Sequence, residues 1–344
     1  MPQHSGQPAD SDGPQIALFG PTASPEVRAE LDAAARAHVD AGRNAATRRA
    51  YDSDRRAWNA YCSAFDIGQH ELSVGTLVGF VEWLISHDAA PRTIERRVTG
   101  TRRSLRDDGV ADLDIDDREI VAERQRQYQR ALAEHGLRRG RGKARPITVA
   151  ELRQLSRVLD DTLLGLRDRA LLLVAFGMAA RRSEVAGLWA ADVAVADEGL
   201  VVTLRTSKTS DDDTDIAIPH GTSALTCPVR AWRAYRTALA THLGTEPTGR
   251  AFRRIDRHGR VLSGMSGQAV NLVLQRTATA AGLDLTRVSA HGLRAGLATE
   301  ARRAGHDATT IATQGRWSPN GSALYGYLHI VERWDDNAVK GIGL

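Results

Sequence analysis

One stretch of the sequence limits the possible folds more than any other, because strongly apolar residues run directly into charged ones. The residues from Arg169 to Met178 are almost all apolar and predict a helix that is buried on every side. The segment Ala180-Arg-Arg-Ser-Glu-Val185 follows at once. Charges beside a buried helix are costly unless they have partners. Glu184 stands three residues after Arg181, a spacing at which the two can pair and hold the guanidinium rigid toward a cleft. A purely structural ion pair is the alternative.

A second stretch, Ser289-Ala-His-Gly-Leu-Arg-Ala295, places a histidine and an arginine close together. The apolar periodicity of residues 292–304 predicts a helix, so His291 and Arg294 emerge from one face of it. A titratable donor beside a fixed cation suits a phosphate or another oxyanion. A solvated pair on a helix surface would show the same spacing. Only the motifs around this pair can therefore favour an anion-binding role.

Residues 193–218 change from helical periodicity to alternation, which predicts a small antiparallel sheet. The strands flank a polar turn that contains Lys208. Thr148-Val-Ala-Glu151 has the spacing of a capping box, and residues 228–242 and 266–281 predict further helices. Residues 147–344 are therefore predicted to form a domain that is mainly α with a small antiparallel β-sheet, an α+β domain.

The N-terminal half is predicted to be a small all-α domain. Residues 1–24 are rich in Gln, Ser, Asp, Gly and Pro and are expected to form a disordered lead-in. Residues 25–136 contain an Ala-rich helix and then four segments with helical periodicity, the last of which stops at Gly136.

The helix that begins at Pro91 is predicted to have an apolar side and a guanidinium side. The guanidinium side carries Arg92, Arg96, Arg103 and Arg106. Glu95 is the only acid between the first and the last of these arginines, so pairing within the helix is not expected to neutralise the face. An apolar back with a basic front suits a helix that lies on a phosphate backbone, although a merely solvated face would show the same pattern.

A basic segment, residues 137–146, separates the two halves. It has two glycines, no acid and five cations, which are Arg138, Arg139, Arg141, Lys143 and Arg145. This composition predicts a linker that follows DNA between two domains, with a solvated linker as the alternative.

Charge and cysteine usage narrow the possible partners. The formal net charge of +4 understates the basic character, because most cations are clustered arginines, which suit bidentate phosphate contacts. A polyanion is therefore the first expected partner. Cys62 and Cys227 lack the spacing of a zinc site or a disulfide framework, and no metal is expected. No apolar run reaches membrane length and no signal-like core is present, so we expect a cytosolic protein without a membrane partner.

Five motifs stand in one order along the chain: Arg-x-Ser-Glu after a buried helix, a hairpin lysine, His-x-x-Arg, Gly-x-Trp and a C-terminal tyrosine. In this order the sequence resembles the tyrosine recombinase, or phage integrase, family, from about Asn44 to the end of the chain. The resemblance implies a core-binding, DNA-binding domain over residues 25–136 and a catalytic domain over residues 147–344, closing as a C-shaped clamp around DNA. It also implies a site-specific DNA recombinase of the integration or excision type.

The residues that carry the family's functions match positions in this chain. The catalytic residues that the resemblance implies are Arg181, Lys208, His291, Arg294, Trp317 and Tyr327, with Glu184 in support. Many relatives have a histidine where Trp317 stands. Tyr325 is the alternative nucleophile, because it lies eight residues beyond Trp317 while Tyr327 lies ten beyond, and the spacing does not choose between them. The sequence of the tail that follows favours Tyr327.

The resemblance also implies the chemistry. The tyrosine oxygen attacks the scissile phosphate and displaces a 5′-hydroxyl, which leaves a 3′-phosphotyrosine. Arginine donors meet the charge that develops on the phosphate, and Lys208 protonates the leaving oxygen. No metal, other cofactor or ATP is expected.

By the same resemblance, the partner is double-stranded DNA with specific recombination sites. The working form is expected to be a homotetramer on two duplexes, with the tail after Val331 packed on a neighbour, in the cytoplasm and on the nucleoid when bound to DNA. A type IB topoisomerase or a telomere resolvase would use similar residues, and a non-enzymatic DNA-binding protein of this fold would show the same basic surfaces. A metal-dependent nuclease is disfavoured, since no carboxylate cluster of ligand spacing accompanies His291.

Overall fold

A computed structural model describes residues 24–42, 45–140, 142–205, 213–318 and 321–335, together with 337, 339, 340 and 342. The chain divides into two compact units, Met1–Gly140 and Arg141–Leu344. The division falls inside the segment 137–146 that the sequence predicts to be a linker. Of the predicted lead-in, only Ser24 is among the described residues.

In its described residues the first unit is all α, as predicted. Its helices are α1 (Pro25–Gly42), α2 (Ala45–Phe65), α3 (Val74–Ser86), α4 (Pro91–Asp107) and α5 (Ile115–Glu134). Local sequence sets three of the starts. Ser73 and Thr76 form a capping box before α3, Pro91 occupies the first turn of α4, and the Asp114 carboxylate caps α5.

Aromatic and aliphatic side chains from α2, α3 and α4 form the core of this unit. The rings of Trp58 and Phe80 meet edge to face, with centroids 5.3 Å apart, and both side chains are fully buried. Ile94, Val98 and Leu105 complete the contact from α4. Each such burial contributes about 1.5–3 kcal/mol, so packing of the apolar faces determines how these helices assemble.

The basic side of α4 is less free than its sequence suggests. Acids outside the stretch from Arg92 to Arg106 pair with three of its four arginines. Arg96 pairs with the buried Asp54 of α2 at 2.6 Å, Arg103 with Asp107 at 3.2 Å, and Arg106 with Asp112 at 3.4 Å. Arg92 is exposed and has no ion pair with a described residue. The expectation of an uncompensated guanidinium face is therefore wrong for these three arginines. Asp107 is the last residue of α4, so the expectation that pairing within the helix is absent is wrong for Arg103.

The second unit is mainly α with small antiparallel sheets, which confirms the predicted fold class. Its helices are α6 (Val149–Arg157), α7 (Leu163–Gly177), α8 (Arg182–Gly187), α9 (Pro228–Leu243), α10 (Gly267–Ala280), α11 (His291–Arg303), α12 (Ala308–Gly315) and α13 (Ser322–Asp335). The predicted capping box is present, because the side chains of Thr148 and Glu151 each accept from the other's backbone N–H.

The predicted sheet has three antiparallel strands in the order β1 (Val193–Val195), β2 (Gly199–Leu204) and β3 (Thr214–Pro219). Leu200 pairs with Ile218 and Val202 with Ile216, so the buried residues alternate as the sequence predicts. The turn between β2 and β3, which contains Lys208, lies outside the described residues.

A second hairpin, β4 (Arg253–Ile255) with β5 (Val261–Gly264), was not expected from the sequence. Both strands are short and β4 begins with two arginines, so neither shows an alternating apolar pattern. Its turn is closed by the Asp256 carboxylate, which accepts from the backbone N–H groups of His258 and Arg260.

Helix α7 lies in the core of the second unit, with Leu171, Leu172, Leu173 and Val174 all buried. Helix α11 is fixed nearby by a close backbone approach. Ile147 donates its N–H to the carbonyl of Gly292 at 2.9 Å, and a Cβ at Gly296 would lie 2.1 Å from the Ile147 oxygen. Glycine at 296 therefore lets the chain that enters this unit pass directly against α11. No helix in the described ranges combines the length and apolar composition that a membrane crossing requires.

Candidate active site

The C-terminal end of α7 organises the site through its carbonyl groups. The last carbonyls of a helix lack partners within it and form the negative end of its dipole. Gln314 Nε2 donates to Gly177 O at 2.8 Å, Arg316 Nη1 to Met178 O at 3.0 Å, and Arg294 Nη1 to Ala179 O at 2.5 Å. Helices far along the chain thus bring three side chains to one helix end.

Glu184 lies beside this end and binds two arginines at once. Its Oε1 accepts from Arg181 Nη1 at 2.5 Å, and its Oε2 accepts from the Arg181 backbone N–H and from Arg316 Nη2, both at 2.8 Å. Burial acts to raise the pKa of Glu184, but the hydrogen bonds from Arg181 and the charge of Arg316 outweigh it and leave that pKa lowered. The predicted Arg181–Glu184 pair therefore exists, and Arg316, which the sequence motifs do not single out, is a second cation on the same carboxylate.

Arg294 is the most deeply buried cation of the site, at 2% exposed. Its guanidinium carbon lies 4.1 Å from the centre of the Trp317 ring, in cation–π geometry. Burial, followed by the charges of Arg181 and Arg316, lowers the pKa of Arg294 to about 10, so the group is still a cation at neutral pH. Three guanidinium groups and one carboxylate leave the cluster with a net positive charge that suits a phosphate.

The Gly-x-Trp motif has a steric basis. A Cβ at Gly315 would lie 1.8 Å from the Trp317 ring, so only glycine lets the indole fold back over the end of α12. The residue between them, Arg316, takes the left-handed conformation with φ 56° and ends the helix. Its place inside this motif is the only sequence signal that could have drawn attention to Arg316.

Tyr327 reaches the cluster from α13. Its hydroxyl lies 2.6 Å from His291 Nε2, and its ring centroid lies 5.9 Å from that of Trp317. Buried Leu324 and Leu328 hold α13 against the end of α11 and α12. Burial, opposed by the Arg294 charge, raises the pKa of Tyr327, so its phenol is protonated at neutral pH.

The imidazole of His291 lies beside the phenolic hydroxyl. Burial, followed by the charges of Arg294 and Arg181, lowers the pKa of His291 below 6.5. The imidazole is therefore neutral at pH 7. If its proton is on Nδ1, then Nε2 has a free lone pair and the Tyr327 O–H donates to it.

Tyr325 lies on another side of α13. Two residues along a helix correspond to more than half a turn, so Tyr325 and Tyr327 cannot both face the cluster. Tyr325 is 39% exposed and its ring is near His329, with centroids 6.1 Å apart. The structure brings Tyr327, and not Tyr325, to His291.

The remaining predicted site residues differ in their surroundings. Lys208 and Arg141 lie outside the described residues. Arg139 pairs with Asp88 at 2.6 Å. Arg145 pairs with Glu151 at 2.5 Å and donates to the Asp284 carbonyl at 3.0 Å, so it fastens the entering chain to the second unit.

Exposed Arg138 and Lys143 have no ion pair within the part of the chain that the structure describes. Lys143 Nζ lies beside α13, 3.6 Å from the position that a Cβ at Gly326 would take.

Comparison with known proteins identifies the family. The sequence model of the phage integrase family matches residues 145–332, more than half of the chain. The "Integrase/recombinase xerD homolog" of Selenomonas ruminantium is 28% identical over 297 residues, which cover 86% of this chain and 84% of that protein.

Two solved structures share the fold. One is a lambda integrase dimer bound to a COC′ core site, with a TM-score of 0.52 and 13% identity over 88% of this chain and 77% of that one. The other is a transposon integrase in complex with transposon right end DNA, with a TM-score of 0.54 and 11% identity over 87% of this chain and 93% of that one. The chain therefore belongs to the phage integrase family and is a tyrosine recombinase, a DNA breaking-rejoining enzyme.

Proposed function

We propose that this enzyme is a site-specific recombinase that cleaves and rejoins DNA through a 3′-phosphotyrosine on Tyr327. The observation that carries the proposal is the 2.6 Å contact between the Tyr327 hydroxyl and His291 Nε2 at the edge of an arginine cluster. A phenol with a raised pKa is a weak nucleophile unless a base accepts its proton as it attacks, and neutral His291 is such a base.

The proposed cleavage step conserves atoms and charge. The Tyr327 oxygen bonds to the scissile phosphorus while its proton passes to His291 Nε2. The bond from phosphorus to the 5′-oxygen breaks, and Lys208 supplies the proton that this oxygen needs. Attack by a 5′-hydroxyl on the phosphotyrosine reverses the step and reseals a strand. Because the protein–DNA link is itself a phosphodiester, rejoining needs no ATP.

Arg181 and Arg294 are proposed to bind the non-bridging oxygens of the phosphate. Each guanidinium offers a planar, forked set of donors, and its position is fixed before DNA binds by Glu184 or by the Ala179 carbonyl. Donors that are already oriented stabilise the developing charge without reorganisation. Trp317 supplies one indole N–H and covers Arg294, but it cannot transfer a proton as histidine would.

The finer features of the resemblance belong to the same proposal. They are a double-stranded DNA substrate with specific sites, two domains closing around it as a clamp, a homotetramer on two duplexes, packing of the tail after Val331 on a neighbour, and action on the nucleoid in the cytoplasm. Dimeric and tetrameric DNA-bound structures of lambda integrase support the assembly by analogy. Relaxation of supercoiled DNA without strand exchange between two duplexes would favour the topoisomerase-like alternative.

The test is to trap the covalent intermediate. Nicked duplexes with randomised sequence around the nick lose the 5′-hydroxyl fragment after cleavage, so the adduct cannot reseal. We expect a protein–DNA adduct that survives denaturant, with its 3′ end on the protein, and the linked DNA identifies a preferred duplex. Adduct formation in the presence of excess EDTA should equal that in its absence. A chelator-sensitive reaction, or no adduct from any library member, would contradict the proposal.

The rate of adduct formation should depend on pH through His291. The imidazole must be neutral to accept a proton, and its lowered pKa keeps it neutral to below 6.5. The single-turnover rate constant should therefore be flat near neutral pH and fall about tenfold per unit below the His291 pKa. It is measured on the selected duplex at saturating protein. A rate constant that rises on acidification would instead indicate an imidazolium that donates to the phosphate.

Exposed cations should set the salt dependence of DNA binding. Replacing Arg92, Arg138 and Lys143 with glutamine should reduce the slope of log affinity against log salt by roughly 0.9 for each phosphate contact that is lost. Arg124, Arg126 and Arg130 of α5 form a matched control, because each pairs with a glutamate. Their triple glutamine variant should leave the slope unchanged. Equal slopes for the first variant and the wild type would remove these three residues from the DNA interface.

A further inference from the structure

Arg316 adopts a conformation that its residue type disfavours. It ends α12 at φ 56°, in the left-handed region where glycine is the usual residue because a side chain is strained there. A strained residue at a functional site points to a role for its side chain.

The side chain of Arg316 connects three separate parts of the catalytic unit. Nη1 donates to Met178 O at the end of α7, and Nη2 donates to Glu184 Oε2 on α8, while the backbone belongs to the Gly315–Trp317 motif. The Arg316 side chain is only 11% exposed, so these contacts form in surroundings that screen charge weakly.

The contacts of Glu184 show what Arg316 changes. Oε2 is already occupied by Arg316 Nη2 and by the Arg181 backbone N–H, so the Arg181 side chain meets the carboxylate only through Nη1 and Oε1. Without Arg316, Oε2 would keep the bond from the Arg181 backbone N–H and have a second lone pair open, so the Arg181 side chain could form the bidentate pair that arginine and carboxylate favour. Such a pair would consume donors that a phosphate needs.

We infer that Arg316 is a positioning residue for Arg181: by occupying Oε2 of Glu184, it restricts the Arg181 side chain to one carboxylate contact and leaves its other N–H groups for the DNA phosphate. The inference rests on the proposed function, in which Arg181 binds that phosphate. Arg316 itself is not placed on the substrate. It acts through Glu184.

The primary test is Arg316→Gly, because glycine suits the left-handed backbone and the substitution removes only the side chain. Single-turnover adduct formation on the selected nicked duplex should fall about 10–100-fold, the loss typical when a residue that orients a functional group is removed. The Kd for the same duplex should stay within about threefold. Arg316→Lys should recover part of the rate, since one ammonium can reach either Glu184 or the Met178 carbonyl but does not provide a fork.

Arg287→Gly is the matched control. Arg287 is also an arginine in the left-handed region, at φ 59°, but it is exposed and lies outside the cluster. Its variant undergoes the same change of residue type and backbone freedom, and it should form adduct at the wild-type rate.

A double-mutant cycle distinguishes positioning from simple support of the fold. If Arg316 acts through Glu184, then Arg316→Gly should change the rate less than about twofold in a Glu184→Gln background. Equal effects in both backgrounds would overturn the inference, because they would mean that Arg316 only tethers the Trp317 segment to α7. A wild-type rate for both Arg316 variants would overturn it as well. A different result, the absence of any adduct with the wild-type protein, would contradict the proposed function itself.

Discussion

Replacing Tyr327 with phenylalanine should abolish the covalent protein–DNA adduct, because the substitution removes the oxygen that becomes bonded to phosphorus. Tyr325→Phe should form the adduct at close to the wild-type rate. The two substitutions are matched chemically and differ by two positions in the chain, yet only the Tyr327 hydroxyl lies within hydrogen-bond distance of His291. The Tyr325 ring lies near His329 and is 39% exposed.

The measurement is the yield of denaturant-resistant adduct after incubation with the selected nicked duplex. DNA affinity of each variant is measured in parallel, so that a loss of adduct cannot be confused with a loss of binding. Loss of the adduct in Tyr325→Phe, with retention in Tyr327→Phe, would reassign the nucleophile while leaving the phosphotyrosine chemistry intact. It would also require α13 to rotate relative to α11 when DNA binds.

Substitution of Arg294 with alanine is expected to reduce cleavage by about 10²-fold or more while DNA binding persists, and Arg181→Ala should behave in the same way. The magnitude follows from the loss of one preoriented donor set at a developing oxyanion. Arg294→Ala should also destabilise the fold, because it leaves the buried Ala179 carbonyl without its donor, at a cost of about 1–3 kcal/mol. Arg181 is partly exposed, so its loss should have a smaller effect on stability.

Arg294→Lys separates the effect on the cleavage rate from the effect on stability. A lysine can still donate to the Ala179 carbonyl, but it cannot present a planar fork to a phosphate. We expect this variant to recover most of the unfolding free energy and little of the rate. Arg303→Gln serves as the control on the same helix, since Arg303 pairs with Glu300 away from the cluster. Cleavage within tenfold of wild type in both alanine variants would contradict the proposed phosphate clamp.

Local spacing predicted the parts of the site that depend on neighbours in sequence. The pairing of Arg181 with Glu184 follows from their i,i+3 separation, and the common face of His291 and Arg294 follows from helix geometry. The capping box before α6 and the pairing of β2 with β3 follow from equally local patterns. In each case the residues that interact lie within one turn of a helix or across one hairpin.

The choice between Tyr325 and Tyr327 could not be made in this way. Both lie on α13, and what separates them is the face that packs against α11, which Leu324 and Leu328 determine through contacts with Ala298 and Ile311. Spacing from Trp317 carries no information about that rotation.

Partners that are distant in sequence explain the pairing of Arg96 and the place of Arg316 in the cluster. Pairing of Arg96 with Asp54 joins residues 42 positions apart, and the bond from Arg316 to Glu184 spans 132. Counting acids within the stretch from Arg92 to Arg106 missed Asp54 on α2, and it also missed Asp107 and Asp112, which lie shortly after the stretch ends. The contacts of Arg316 could not be predicted from spacing either, because its partners lie at the end of α7 and on α8, far away in the sequence.

The acceptors at the end of α7 are main-chain oxygens, and this has a consequence for how such a site can diverge. Substitution at residues 177–179 can alter side chains but cannot delete the carbonyls that orient Gln314, Arg316 and Arg294. Random mutation can therefore remove a donor in one step, whereas it has no comparably direct way to remove an acceptor. The positions of these acceptors depend on the path of the backbone. Relatives with little sequence identity can therefore keep the geometry of the arginine cluster.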